Sequence, residues 1–366
     1  MIIQNIETKR ISVPLKKPFK TALRTAETLD SILVKITCDN GMVGWGEAAA
    51  SVVITGDSLP SIEGAIQETI RPQLIGKSLL AYEQVFQTLH QSMVGNSSAK
   101  AAVDMALYDL LAKRAGMPLY QFLGGYRKQL ETDYTVSVNS PQEMAEDAAA
   151  YLKDGFNVLK IKVGKDDIRQ DIVRIQEIRK AVGSEVTIRL DANQGWNAKE
   201  AIRSIRRMED MGLDIELVEQ PVKAHDLEGL KQVTDHVDTP IMADESVFSP
   251  AQALEVLRRR AADMINIKLM KAGGIYKAQL INQIAEEHGV TCMVGSMLES
   301  RLSVSAAAHF AASKKNIVAV DLDAPLMLRR DVIEGGVTYQ GRVLSMPESP
   351  GLGISAVHEW EDEEKQ

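Results

Sequence analysis

Lys160, Lys162, Asp191, Glu219, Asp244 and Lys268, followed by Asp321, stand at the ends of short apolar runs. The carboxylates of Asp191, Glu219 and Asp244 cannot share a small volume while ionised unless something cationic compensates them. With no His or Cys among them, an all-oxygen set points to a hard divalent ion. Three monodentate carboxylates leave octahedral positions open, which favours Mg²⁺ over Zn²⁺ or Ca²⁺. Such an ion would polarise a carboxylate and stabilise the enediolate formed when the adjacent carbon loses its proton. Lys160 and Lys162 are two apart on one strand and share a face. Crowding of their ammonium groups is expected to lower Lys162 toward neutral pH and make it a base, with Lys268 as the complementary acid. Two acid/base groups on opposite sides of one carbon serve a racemase or epimerase, whereas a one-face elimination needs only one proton carrier.

The elements that must position these groups are eight runs: residues 132–137, 157–163, 186–191, 214–219, 239–244, 264–268, 290–295 and 316–321. From 162 to 191, 191 to 219, 219 to 244 and 244 to 268 the spacings are 29, 28, 25 and 24 residues. Helical patterns fill the gaps, for example at 167–182, 198–211, 226–237, 250–260 and 274–288. A repeat of this length is one strand-helix unit, and eight strands so connected close into a parallel barrel with chemistry at the C-terminal rim. Strands four apart face each other across the mouth. Lys162 on the second strand and Lys268 on the sixth therefore approach from opposite sides, with the three carboxylates on the arc between them.

Before the barrel, residues 3–47 read as a meander: a run at 6–14, a polar loop at 16–28, then runs at 31–38 and 42–47 joined by the hairpin signal Asn40-Gly41. Helical periodicity follows at 61–75, 81–93 and 98–115, the last ended by Gly116-Met117-Pro118. After Asp323 the pattern turns strand-like at 343–354 and ends in an acidic stretch, 359–366, expected to be solvated.

The 366 residues are 45% hydrophobic and carry a net charge of −8, enough for a large core and with no basic block to attract nucleic acid or an anionic membrane. No leader or membrane span is read, so the expectation is a cytoplasmic protein acting on a small molecule. Cys38 and Cys292 lie far apart in strand-like segments and are expected to be buried free thiols.

The motifs resemble the enolase superfamily in its muconate lactonizing enzyme subgroup, and within it the dipeptide epimerases that act on L-Ala-D/L-Glu. The resemblance is carried by Lys160-Ile161-Lys162, Asp191-Ala192-Asn193, Val218-Glu219-Gln220-Pro221, Ala243-Asp244-Glu245-Ser246 and Asn266-Ile267-Lys268 with Gly273-Gly274. In the N-terminal part it is carried by the stretch 101–110, Gly116-Met117-Pro118-Leu119 and Leu123-Gly124-Gly125. The mandelate racemase subgroup is disfavoured, because residues 290–299 contain no late-barrel His. The resemblance implies an α/β fold, a modified TIM barrel of the (β/α)7β type with an α+β capping domain. The capping domain would span 1–125 and the barrel 126–323, with 324–366 returning to the cap.

The same resemblance implies one Mg²⁺ per subunit on Asp191, Glu219 and Asp244, Lys162 and Lys268 as the two acid/base catalysts, and Lys160 as electrostatic support and substrate contact. Asp321 and Asp323 would hold a substrate ammonium group, Arg24 would clamp a side-chain carboxylate, and loops 16–28 and 48–56 would close over the mouth. Members of the family often assemble, so a homo-oligomer is expected. Rival readings of the same site are an N-acylamino acid racemase, o-succinylbenzoate synthase or cycloisomerase, none of whose substrates offers an ammonium group to Asp321 and Asp323. A Schiff-base aldolase or a metal-stabilised binding module would leave the carboxylates or the paired lysines without a task.

Overall fold

The structure is a computed structural model that describes residues 1–358 and 360; the acidic stretch beyond Trp360 lies outside the described residues. Three long strands, β1 (Ile3–Lys20), β2 (Thr25–Cys38) and β3 (Val43–Ala49), form an antiparallel meander. The Asn40-Gly41 signal marks the β2–β3 turn, where Gly41 takes φ +80°.

The polar segment 16–28 is not the loop its composition suggests. β1 runs on to Lys20 and β2 starts at Thr25, with an irregular register between Pro14 and Phe19. Only residues 21–24 remain as a tip, closed by the Thr21 N–H donating to the Arg24 carbonyl at 2.9 Å. Charged side chains on the exposed face of a ribbon look the same in sequence as a solvated loop. The helix expected over 61–75 is likewise interrupted. It comprises Leu59–Gly64, a π-helical stretch Ala65–Ile70 and Arg71–Leu74.

β3 rests on the helix Ser97–Ala115, whose residues from Ser98 to Ala112 are all buried. The approach is close: a Cβ on Gly46 would stand 1.9 Å from the Ala102 carbonyl oxygen. Glycine on the strand and alanine on the helix are what allow sheet and helix to touch backbone to backbone.

The short strand β4 (Gln129–Glu131) leads into eight parallel strands. They are β5 (Tyr134–Val136), β6 (Val158–Lys162), β7 (Thr187–Asp191), β8 (Ile215–Glu219), β9 (Ile241–Ala243), β10 (Met264–Lys268), β11 (Thr291–Gly295) and β12 (Ile317–Asp321). They pair in sequence order, and a parallel bridge between Thr132 and Val320 joins the two outer edges. Seven main helices follow the first seven strands, and after β12 only a 3-10 turn, Ala324–Met327, remains. This is the (β/α)7β barrel, and the antiparallel sheet of β1 to β3 lies at the C-terminal ends of its strands, where its residues share a cavity with Lys162, Lys268 and Asp321. Each expected strand is present and shorter than its apolar run, or equal to it for β10.

Register sets the chemistry at one level. Lys162 pairs with Asp191, Asp191 with Glu219, Lys268 with Gly295 and Gly295 with Asp321. The charged residues thus form a single ring at the strand ends, because a parallel ladder holds neighbours level.

The tail adds β13 (Ile333–Gly335), β14 (Thr338–Gln340), β15 (Val343–Ser345) and β16 (Ile354–Val357). β15 pairs with β4, and the Leu352 N–H donates to Asp109 on the helix Ser97–Ala115 at 2.8 Å. Cys38 and Cys292 are buried and free. No helix among the described residues is long and apolar enough to cross a membrane.

Asp104, on that same helix, accepts the Ile275 and Tyr276 N–H groups at 2.5 and 3.3 Å, capping the barrel helix Ile275–Glu287 from outside the barrel. Gly274 makes room for this: its φ is +116°, and a Cβ there would stand 2.2 Å from Asp104 Cγ. Gly274→Ala is therefore expected to cost about 2 kcal/mol or more in urea unfolding, by strain and by displacement of the cap. Unchanged stability would show that the cap tolerates the methyl group.

Candidate active site

The ring opens into a cavity shared with the N-terminal sheet. Lys162, Lys268, Asn193, Asp321 and Asp323 line its floor, with Thr135 beside them, while Phe19, Leu23, Arg24 and Ile54 come from the N-terminal sheet and its loops. Met297 and Leu298, just beyond β11, form an apolar wall. Nearly all the charges beneath are out of reach of water. Lys160, Asp191, Glu219 and Asp244 are at most 1% exposed, and Lys162, Lys268 and Asp321 are 6% exposed.

Asp191, Glu219, Asp244 and Asp321 are each held by an ammonium group. Lys160 Nζ lies 2.6 Å from Glu219, 2.7 Å from Asp321 and 3.3 Å from Asp191. Lys162 lies 2.5 Å from Asp191 Oδ2, and Lys268 lies 2.7 Å from Asp244 Oδ2. The ammonium groups of Lys160 and Lys162 converge on Asp191 Oδ2. Burial, which would lower Lys160, is outweighed by Asp321, Glu219 and Asp191, which hold it well above the ordinary lysine range. The same balance raises Lys268, where burial is outweighed by Asp244 and Glu219.

The carboxylates divide accordingly. Against the penalty of burial, Lys162 and Lys160 hold Asp191 low, and Lys268 and Lys271 hold Asp244 low. Burial and the neighbouring Asp191 push Glu219 up to about 7. Burial and Asp321 do the same to Asp323, also to about 7, although the Thr135 N–H donates to it at 2.6 Å.

Several residues that sequence reasoning missed or quoted only as motif members have tasks here. Lys271 Nζ sits 2.6 Å from Asp244 Oδ1 and donates to the carbonyls of Asn266, at 3.1 Å, and Asp244, so three oxygens surround it. Its place three residues after Lys268 at a helix start was its one sequence signal. Asn266 Nδ2 donates to Glu219 at 2.8 Å, and Gln220 Oε1 accepts the Asp244 and Ser246 N–H groups at 2.9 and 3.1 Å. Glu245 is buried beside Asp244, which together with burial pushes it up to about 8. Beneath the ring, Arg189 joins Asp133 at 2.9 Å and Glu216 at 2.5 Å.

Asp191, Glu219 and Asp244 stand at neighbouring strand ends with oxygens turned to lysine ammonium groups, and among the described residues no three His, Cys, Asp or Glu side chains are grouped as ligands around one point. The donor chemistry nevertheless suits a hard divalent ion. Glu219 Oε2 and Asp244 Oδ1 touch ammonium groups without a directed hydrogen bond, and Glu245 Oε2 and Asn193 Oδ1 are buried without one.

Comparison with known proteins agrees with the geometry. The model of the mandelate racemase/muconate lactonizing enzyme N-terminal domain matches residues 5–124, and that of the enolase C-terminal domain-like family matches 143–360. The chain belongs to the mandelate racemase/muconate lactonizing enzyme family. It is 66% identical to the L-Ala-D/L-Glu epimerase of Bacillus subtilis over 354 residues, 97% of each chain. A solved substrate-liganded complex of the B. subtilis L-Ala-D/L-Glu epimerase superposes with a TM-score of 0.97 at 65% identity, covering 98% of this chain and 99% of that one. A dipeptide epimerase of Enterococcus faecalis, solved with Mg and L-Leu-L-Tyr, gives 0.94 at 44% identity, covering 97% and 100%.

Lys160 contacts three carboxylates at once, so Lys160→Met leaves Glu219 and Asp321 buried without their nearest counter-charge. It is expected to cost about 3–5 kcal/mol in urea unfolding. A loss below about 1 kcal/mol would mean that the ring is neutralised by other groups.

Proposed function

We propose that this protein epimerises L-Ala-D/L-Glu at the α-carbon of the Glu residue. The observation that carries the reading is the placing of Lys162 and Lys268 on β6 and β10, four strands apart in one ring, with both side chains lining one cavity. A carbon between them is open to proton removal on one face and delivery on the other. The relatives named as L-Ala-D/L-Glu epimerases support the choice of reaction.

The cavity suits the three charges of the dipeptide. Asp321 and Asp323 line one end and are assigned to its ammonium group. Arg24 lines the cavity from the hairpin tip, and its guanidinium has no hydrogen bond or ion pair among the described residues. Burial lowers its pKa while Asp30 acts the other way, so a substrate carboxylate is the partner it lacks. Lys160 supports the site by fixing Glu219, Asp321 and Asp191.

Asp191, Glu219 and Asp244 are the residues that would hold Mg²⁺, the ion named with dipeptide in the E. faecalis structure. When bound, that ion supplies positive charge against a substrate carboxylate as the neighbouring carbon loses its proton. Removal of the proton falls to one lysine as a free amine, which its carboxylate must first release. Lys162 leaves Asp191 and Lys268 leaves Asp244, and the Met297–Leu298 wall with the Phe19 and Ile54 side excludes water meanwhile.

Proton NMR of L-Ala-L-Glu with the protein and Mg²⁺ in D₂O tests the reading. The expected result is loss of the Glu α-proton signal with appearance of the L,D diastereomer. Exchange on N-acylamino acids and none on the dipeptide would move the assignment to a racemase of the same family.

A further inference from the structure

Glu47 on β3 is fully buried, and its carboxylate reaches from the N-terminal sheet into the barrel. The Ser300 N–H donates to Oε1 at 3.0 Å. The Ser303 N–H, at 3.1 Å, and the Ser300 hydroxyl, at 2.5 Å, donate to Oε2. Ser300 is the N-cap of the barrel helix Arg301–Ser313, so Glu47 adds a second cap to that helix from another part of the fold. On the barrel side Glu299 accepts the Met297 N–H at 2.6 Å and the Ser303 hydroxyl. The path from 296 to 303 is therefore fixed by two buried carboxylates, one from each side of the interface.

That path carries Ser296, Met297 and Leu298 along one wall of the cavity. Two residues beyond Glu47 the strand ends at Ala49, and the chain goes on to Val53 and Ile54, which line the same cavity from the covering side. Glu47 thus stands between the two walls, joined to one by backbone and to the other by three hydrogen bonds. It touches neither Lys162 nor Lys268.

We propose that Glu47 is a positioning residue that sets the spacing of the two apolar walls, Val53 and Ile54 against Met297 and Leu298, and so holds the side chain of the residue being epimerised. For its choice of substrate this rests on the dipeptide reading; the clamp itself does not. Losing it leaves buried donors without an acceptor and frees both walls, while the proton-transfer groups stay on their strands.

Two measurements on the full-length protein test this. Amide hydrogen exchange needs no substrate: Glu47→Gln, which puts an NH₂ against a donor, is expected to speed exchange about tenfold in 50–56 and 296–303 while β6 to β10 stay protected. Unchanged exchange in those two segments overturns the proposal, whether or not the protein epimerises L-Ala-L-Glu. In kinetics on that dipeptide, E47Q is expected to raise KM about tenfold and to leave kcat within about threefold. Ser300→Ala, which removes one donor and keeps the N–H, should give a smaller rise, and the double variant should match E47Q alone because both changes break one clamp. A fall in kcat at unchanged KM, or effects that multiply, overturns it. If E47Q does not fold, S300A decides, and an unchanged KM for S300A is the contrary result.

Discussion

Charge out of contact with water has to be balanced by other charge, and the mouth of this barrel is arranged around that requirement. Asp191, Glu219, Asp244 and Asp321 are buried at the ends of four different strands, and isolated ions there would be prohibitively costly. Lys160, Lys162, Lys268 and Lys271 supply the balance, each within 2.7 Å of a carboxylate oxygen. The lysines are not equivalent. Lys160 and Lys271 are each surrounded by three fixed oxygens and belong to the framework. Lys162 and Lys268 each hold one carboxylate oxygen closely and also face the cavity, so they are the two whose contacts can be exchanged for others. The pairs that stabilise the ring are thus the same contacts that hold these two lysines at the cavity.

The scaffold serves this ring in two ways. Parallel register puts the charged residues of neighbouring strands level, so their spacing follows from the ladder and not from loop conformation. The N-terminal sheet and helix are then fastened to the barrel by buried carboxylates. Asp104 caps the helix after β10 and Glu47 the helix after β11, the two strands that carry Lys268 and the Met297–Leu298 wall. Cover and floor are held to each other next to the site and not only at the periphery.

Much of this was legible in the sequence. The strand ends recur at intervals of one strand-helix unit, and a long repeated pattern survives errors at individual boundaries. Asp191, Glu219, Asp244, Lys162 and Lys268 were found because each ends an apolar run. What sequence missed follows from contacts distant along the chain. Lys271 looks like a helix-surface lysine until Asp244 is placed beside it, and Glu47 ends an ordinary alternating strand until Ser300 is brought to it from 253 residues away. The strand extension over 16–20 was hidden because exposed ribbon and solvated loop have the same composition. The closing of lysines onto carboxylates depends on side-chain reach across strands, which spacing does not encode.

In the proposed reaction Lys162 and Lys268 work on opposite faces of one carbon. The direct test is to prepare Lys162→Ala and Lys268→Ala and to follow α-proton exchange of L-Ala-L-Glu and L-Ala-D-Glu separately in D₂O. Two-base transfer predicts that neither variant epimerises, and that each still exchanges the α-proton of one diastereomer only, a different one for each variant. Full epimerisation by either variant, or exchange of the same diastereomer by both, would contradict it.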